Sequence, residues 1–169
     1  MRVEIDNLME QLQDAYEGDP WFGRAVVKIL SEINVQAAFQ KPNGQHSIVE
    51  LVWHMTTWRE FIIDRLRHSP QMQLEYFEKN DWRQLDHNDI TLWPQALERL
   101  QETQNELIEL LKHIDDSILD NQVGDRSYNF RKLLYGILQH DIYHLGQIAY
   151  LNNWYELKKN ISDIQNCAT

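Results

Sequence analysis

The sequence predicts an all-α fold, a four-helix bundle with long crossover connections, and three observations carry that reading. Only 6 Gly and 4 Pro occur in 169 residues, too few turn formers for a sandwich or barrel, which needs a turn signal roughly every 8 to 12 residues. Apolar residues recur at three- and four-residue spacing in long runs, and a helix with one apolar stripe must bury it against others. Two long polar links separate the principal runs, as in a bundle with crossovers.

The first run, about Glu4 to Tyr16, sets Leu8, Met9, Leu12 and Tyr16 on one stripe and stops at Gly18-Asp19-Pro20. Asp19 before Pro20 reads as an N-cap with proline at the first helical position, opening a segment with Phe22, Ala25, Val26, Ile29, Leu30 and Ile33 at helical spacing. The two runs can form one kinked helix. Pro42-Asn43-Gly44 marks a turn, and Ser47 with Glu50 has the form of a capping box. A long helix follows to about Arg67, with Ile48, Leu51, Val52, Met55, Phe61, Ile62 and Leu66 on its apolar side. From Ser69 to Asp89 the periodicity decays into a polar connection carrying Tyr76, Phe77 and Trp82. Thr91 is placed to cap a helix from about Leu92 to Ile114, whose core residues are Ala96, Leu97, Leu100, Leu107 and Leu111. Asp115 to Ser127 is a second connection. The last helix, about Tyr128 to Tyr155, presents Leu133, Leu134, Ile137, Leu138, Ile148 and Leu151, and the tail beyond it is expected to fray.

Length and charge bound the function. Residues 1–169 are one domain's worth of chain. With 26 acidic against 16 basic residues the net charge is -10, which repels a polyanion, and Arg65 with Arg67 or Lys158 with Lys159 is too small a basic patch to overcome it. Nucleic acid is therefore not an expected partner. No run approaches the roughly 18 apolar residues of a membrane span, and acids stand where a secretory signal would place its apolar stretch. The single Cys167 cannot form an internal disulfide and is read as an inert thiol, so a reducing, cytoplasmic location is expected.

Seven histidines are present, at 46, 54, 68, 87, 113, 140 and 144. His140 and His144 are four apart, which puts both imidazoles on one helical face within reach of one metal ion. Gly136 and Gln147 extend that face, and Gly146 offers close approach to another helix. An isolated pair at this spacing is more often two solvated residues. A third ligand would have to come from elsewhere, and His54 is the best candidate because it sits in the apolar segment from Val52 to Trp58, where an unpaired ring is costly. A buried histidine bonded to a carboxylate explains His54 equally well. His46 can line a pocket mouth or simply be solvated. The order His140-Asp141-Ile142-Tyr143-His144 invites comparison with the zinc-peptidase helix, but Asp141 is shorter than the glutamate of that motif and reads equally as a support for a ligand or as solvated.

The segment His46-Ser47-Ile48-Val49-Glu50-Leu51-Val52-Trp53-His54, then Trp58, and later His140-Asp141-Ile142-Tyr143-His144-Leu145-Gly146-Gln147-Ile148 resembles the DinB/YfiT-like superfamily of metal-dependent enzymes. Trp21-Phe22-Gly23 fits as well, and the similarity spans roughly Glu4 to Tyr155. The resemblance implies a four-helix bundle holding a divalent metal, zinc or nickel, on His54, His140 and His144. It also implies a small-molecule substrate, with relatives that transfer low-molecular-weight thiols or act as hydrolases, and a homodimer. A divalent ion on three neutral imidazoles lowers the pKa of bound water to about 7 or stabilises a thiolate. For thiol transfer, Arg59 and Arg131 are candidates to hold the thiol's carboxylates, although each is more often a solvated helix residue; Tyr143 and Gln147 are candidates to donate hydrogen bonds, although a Tyr at this helical position is more often core or dimer interface. Glu50, one turn before His54, is a candidate to take its second ring proton. The six tryptophans are read as core and loop anchors. The competing reading is a non-catalytic bundle acting through dimerisation or partner binding.

Overall fold

A computed structural model describes residues 2–42, 44–67, 70, 72–124 and 126–167, the side chain of 167 excepted. Among these residues every regular element is helical, apart from one isolated bridge between Gln122 and Asn129. The helices are α1 (Val3–Glu17), α2 (Val26–Ser31), α3 (Val35–Phe39), α4 (Ile48–Leu66), α5 (Leu74–Lys79), α6 (Leu92–Lys112) and α7 (Phe130–Cys167), with a 3-10 turn at Asp116–Ile118. Asn43, His68, Ser69 and the thiol of Cys167, each part of the sequence reading, lie outside the described set.

Helix α1 buries Ile5, Leu8, Leu12, Ala15 and Tyr16, as its stripe predicts. Its first turn is capped from far away: the backbone N–H groups of Glu4 and Ile5 donate to Asp116 Oδ1 at 3.2 and 2.9 Å, satisfying amides that have no partner within the helix. It ends at Gly18, where a Cβ would stand 2.7 Å from the Cα of Asp14. The continuation differs from the expectation. Asp19 caps nothing, because Pro20 to Gly23 form a turn closed by the Gly23 N–H on the Pro20 carbonyl, and α2 starts only after Ala25. The two runs are separate helices.

The capping box of α4 forms as read: Ser47 Oγ accepts from the Glu50 N–H at 3.4 Å and Glu50 Oε2 accepts from the Ser47 N–H at 2.7 Å. Thr91 does not cap α6. It is already in helical conformation and its own N–H and hydroxyl donate to Asp89 Oδ1 at 3.0 and 2.6 Å, so Asp89 provides the stop. The connection from Ser69 to Asp89 contains α5, which the weak periodicity concealed. The tail does not fray after Tyr155, since α7 continues for 38 residues in all, about 57 Å at 1.5 Å per residue.

Helix α4 packs against α6 and α7, and α1 packs against α6 and α7 as well. Two apolar clusters result. One gathers Leu8, Leu12, Phe61, Ile62, Leu107, Leu111, Leu134 and Ile137; the other Val26, Leu30, Val49, Val52, Met55, Leu100 and Ile148. Between them on each long helix lies a polar residue. Arg59 of α4, 1% exposed, pairs with Asp141 of α7, 3% exposed, at 2.6 Å. Arg59 also donates to Gln104 Oε1 of α6, whose Nε2 donates to the Leu12 carbonyl of α1 at 3.4 Å. The ring of Tyr16 lies 5.3 Å from the guanidinium carbon, and burial pushes its hydroxyl up to about 12 against the pull of Arg59. Neither Asp141 oxygen has an aligned hydrogen bond among the described residues, so charge rather than alignment holds the pair.

These positions correct two expectations. Arg59 is an interior cation, neither solvated nor available to a ligand, and Asp141 is neither solvated nor free to act as a base. Removing one partner of a buried pair strands the other charge, at a cost of about 3–5 kcal/mol. Arg59→Met and Asp141→Leu are each expected to lose stability of that order in urea unfolding, and the double variant to regain most of it. Strictly additive losses would show that the two charges are not coupled.

Candidate metal centre

Helix α4 presents His54 and α7 presents His140 and His144 one turn apart, and the structure brings all three rings together. His54 Nε2 lies 2.9 Å from His140 Nε2, which lies 3.1 Å from His144 Nε2. His54 and His144 are buried and His140 half-buried.

The outer nitrogens explain why the inner ones converge. His54 Nδ1 donates to Asp81, whose Oδ1 is 2.9 Å away and backbone carbonyl 3.1 Å away. His144 Nδ1 donates to Gln147 Oε1 at 2.6 Å. Both rings therefore carry their proton on Nδ1 and turn the Nε2 lone pair inward. His140 Nε2 can supply one proton at most to two lone pairs. Three ring nitrogens meeting in this way fit a shared cation, because nitrogens bound at about 2.0–2.1 Å around a tetrahedral ion stand about 3.3 Å apart, within a few tenths of the spacing here. The three histidines could hold one metal ion, and the donor set suits a divalent one.

The support for His54 comes from the connection that the sequence left featureless. Thr57 Oγ1 donates to the Asn80 carbonyl at 3.1 Å, and the Trp58 indole donates to Asp81 Oδ1 at 2.6 Å. Arg83 donates to Thr57 Oγ1 and to Glu60 Oε2, both at 3.1 Å, and its guanidinium lies 4.4 Å from the Trp53 ring. Residues 80–83 are thus stitched to α4 at four successive positions. Trp82 is sandwiched between His54, at 4.1 Å and 7°, and His46, at 3.6 Å and 8°. Asp81 and Trp82 were missed as site residues; an acid-tryptophan pair stranded in a long polar link was the signal available, since long links in small domains are often functional.

Other candidates are placed elsewhere. Glu50 does not touch His54: Lys41 and Ser47 bond its carboxylate and hold its pKa below the usual value, outweighing the upward push of burial. Arg131 pairs with Glu4 and with Asp120, the latter at 3.0 Å. Gln147 orients His144 rather than a substrate. Tyr143 is exposed and meets His144 edge-on with ring centres 5.0 Å apart. Gly146 abuts no other helix, because a Cβ there would meet nothing within 4 Å; it opens instead on a cleft.

That cleft, about 760 Å³, is lined by His46, Trp82, Tyr143, His144, Gln147, Tyr150 and Trp154 among others. On the other side of the cluster, His140 forms part of a smaller recess of about 210 Å³ walled by Trp58, Phe61, Ile62, Leu133 and Ile137, with Lys132 also lining it. Three of the tryptophans therefore wall these spaces, so the aromatic residues are more than core anchors. Arg and Lys are absent from the described lining of the larger cleft.

The chain belongs to the DinB superfamily, whose family model matches residues 22–148, a span that includes all three histidines. No curated protein and no solved structure matches it. No helix is long and apolar enough to cross a membrane.

Burial holds His144 down to about 4 and lowers His54 as well, the neighbouring rings adding to the effect. A ring that protonates less readily when folded stabilises the fold above its unfolded value of about 6.5 and loses that contribution as pH falls through its folded value. The urea midpoint of the metal-free protein is expected to drop between pH 6.5 and pH 4, and less steeply in His144→Leu. A midpoint equally steep in the variant would dissociate the ring from acid sensitivity.

Proposed function

We propose that the protein is a metal-dependent enzyme of small-molecule chemistry, a single helical-bundle domain over residues 1–169 in which His54, His140 and His144 hold one divalent ion, zinc or nickel. The observation that carries this reading is the inward turn of lone pairs enforced by Asp81 and Gln147, which leaves three nitrogens converging with at most one proton among them. A divalent ion bound there would supply Lewis acidity, making a thiol or a water molecule nucleophilic at neutral pH.

The chain's own residues then divide the work. Asp81 and Gln147 fix the tautomers and aim the rings, as outer partners of metal-bound histidines do. Trp82 holds the His54 plane and separates it from His46. The larger cleft gives access along His144, with Gln45 and His46 as polar groups, while the apolar recess beside His140 suits the hydrocarbon part of a second reactant. No carboxylate lines either space among the described residues. This favours transfer of a low-molecular-weight thiol over hydrolysis, because thiol addition needs no general base beyond deprotonation of the sulfur, whereas amide hydrolysis also needs an acid for its leaving group. With Arg59 and Arg131 engaged elsewhere, the thiol would be recognised by aromatic stacking and hydrogen bonds rather than by a basic clamp.

Elemental analysis of untagged protein is expected to give about one zinc or nickel per chain, lost in His140→Ala; equal content in both would sink the assignment. Asp81→Ala is expected to keep the ion but bind it about 10- to 100-fold more weakly in a chelator competition. Offered a panel of small thiols with an alkylating or epoxide electrophile, the zinc- or nickel-loaded protein should show thiol-dependent turnover that falls about 10³-fold in His54→Ala, the effect of losing several kcal/mol of Lewis-acid stabilisation. Ester or amide turnover indifferent to thiol would shift the reading to hydrolysis.

A further inference from the structure

Helix α7 outruns the body of the fold. From residue 157 to 166 every position is exposed, and the family match has ended at residue 148. This exposed length is not polar. Tyr143, Tyr150, Leu157 and Ile164 recur every seven residues, and Gln147, Trp154 and Ile161 each fall four after the first three, the alternate four-three spacing of a coiled-coil seam. Tyr143, Tyr150, Leu157, Ile161 and Ile164 are 64, 71, 64, 56 and 70% exposed. At 100° per residue the seam lies opposite the face carrying Leu134, Ile137, Asp141 and Ile148, so the chain's own core cannot cover it. Single exposed apolar residues need no explanation, but a continuous stripe of this size marks a contact surface.

We propose that this seam pairs antiparallel with the same seam of a second copy, and that the projecting end of each α7 roofs the cleft beside His144 of the other. Three observations select this occupant. The five exposed side chains amount to on the order of 600 Å² per copy, near the roughly 800 Å² of a standard interface before flanking residues are added. At 100° per residue the charges beyond Trp154 mostly point away from the seam, Glu156, Lys159 and Asp163 lying on the opposite side and Lys158 alone flanking it. Two copies therefore meet there without acid facing acid despite their net charge of -10, and without the cluster of basic residues that a lipid surface selects. Tyr143, Gln147, Tyr150 and Trp154 are both the first half of the seam and one wall of the cleft. Only the antiparallel arrangement lays the unsupported half, Leu157 to Ile164, along that wall. The cleft is then completed in trans, independently of whether a metal is bound.

Sedimentation equilibrium of the full chain tests the seam. Wild type is expected to be a dimer, and Leu157→Glu/Ile161→Glu a monomer with unchanged helical content and metal content, since both residues stand outside the packed body. A monomeric wild type, or a dimer that survives both charges, overturns the proposal. Nitroxides at Gln165→Cys in a Cys167→Ser background should stand about 30 Å apart along antiparallel axes, whereas a parallel pair sets them about 10 Å apart and removes the roof. In the same background, labelling of Gly146→Cys in the cleft by a polyethylene-glycol maleimide should be slowed about tenfold relative to the Leu157→Glu/Ile161→Glu variant, at a concentration about 100 times the dimer Kd. Equal rates would leave the dimer without a roof and overturn that half of the inference.

Discussion

The interaction on which the rest depends is the ion pair between Arg59 and Asp141. It is the centre of a polar layer that touches every long helix: Leu12 and Tyr16 on α1, Arg59 on α4, Gln104 on α6, Asp141 on α7. Apolar contacts above and below are non-directional and tolerate sliding. A buried charge pair does not, because a slip of one turn would leave both ions without a partner at several kcal/mol each. The register of α4 against α7 is set here, and register decides whether His54 meets His140 and His144. Asp141 is adjacent in sequence to one of those histidines, and Arg59 lies five residues beyond the other contributing ring, so the pair and the site share the same two helices at the same level.

With register fixed, the remaining precision comes from residues 80–83. A histidine on a helix can rotate its ring; one whose Nδ1 is bonded to Asp81 and whose face is stacked on Trp82 cannot do so without losing both. The segment is in turn held by Thr57, Trp58 and Glu60 of the same helix that carries His54. A long polar link thereby becomes as well positioned as a helix, which is what a preorganised site requires.

Much of this was legible from residue order. The stripes of α1, α4 and α6, the Ser47-Glu50 box and the four-residue spacing of His140 and His144 are local patterns whose physics needs no tertiary information. His54 stood out from its apolar setting as the best third ligand, yet a buried histidine bonded to a carboxylate fitted it equally, and the family resemblance was what favoured convergence, because nothing in spacing tells which distant helix faces α7. The failures have one origin, a side chain whose role is set by a neighbour remote in sequence. Arg59 and Arg131 look like surface cations until Asp141, Glu4 and Asp120 arrive from elsewhere; Glu50 looks like a histidine's partner until Asp81 takes that place. The α5 segment was missed because a short helix that buries one residue, Phe77, leaves no apolar rhythm. The length of α7 was missed because beyond Tyr155 the spacing of Leu157, Ile161 and Ile164 is carried by three apolar residues among polar ones, too few to read as a core-facing stripe.

The remote capping of α1 bears on how the molecule is made. Its opening amides are received by Asp116, and Arg2 in return donates to the carbonyls of Lys112 and Ile114 where α6 ends. Helix α1, made before the other helices described, is therefore among the last of them to be completed, since its leading turn stays unsealed until more than a hundred further residues have been synthesised. Such distant closure slows assembly, and until it happens the apolar side of α1 is a surface that a chaperone can hold.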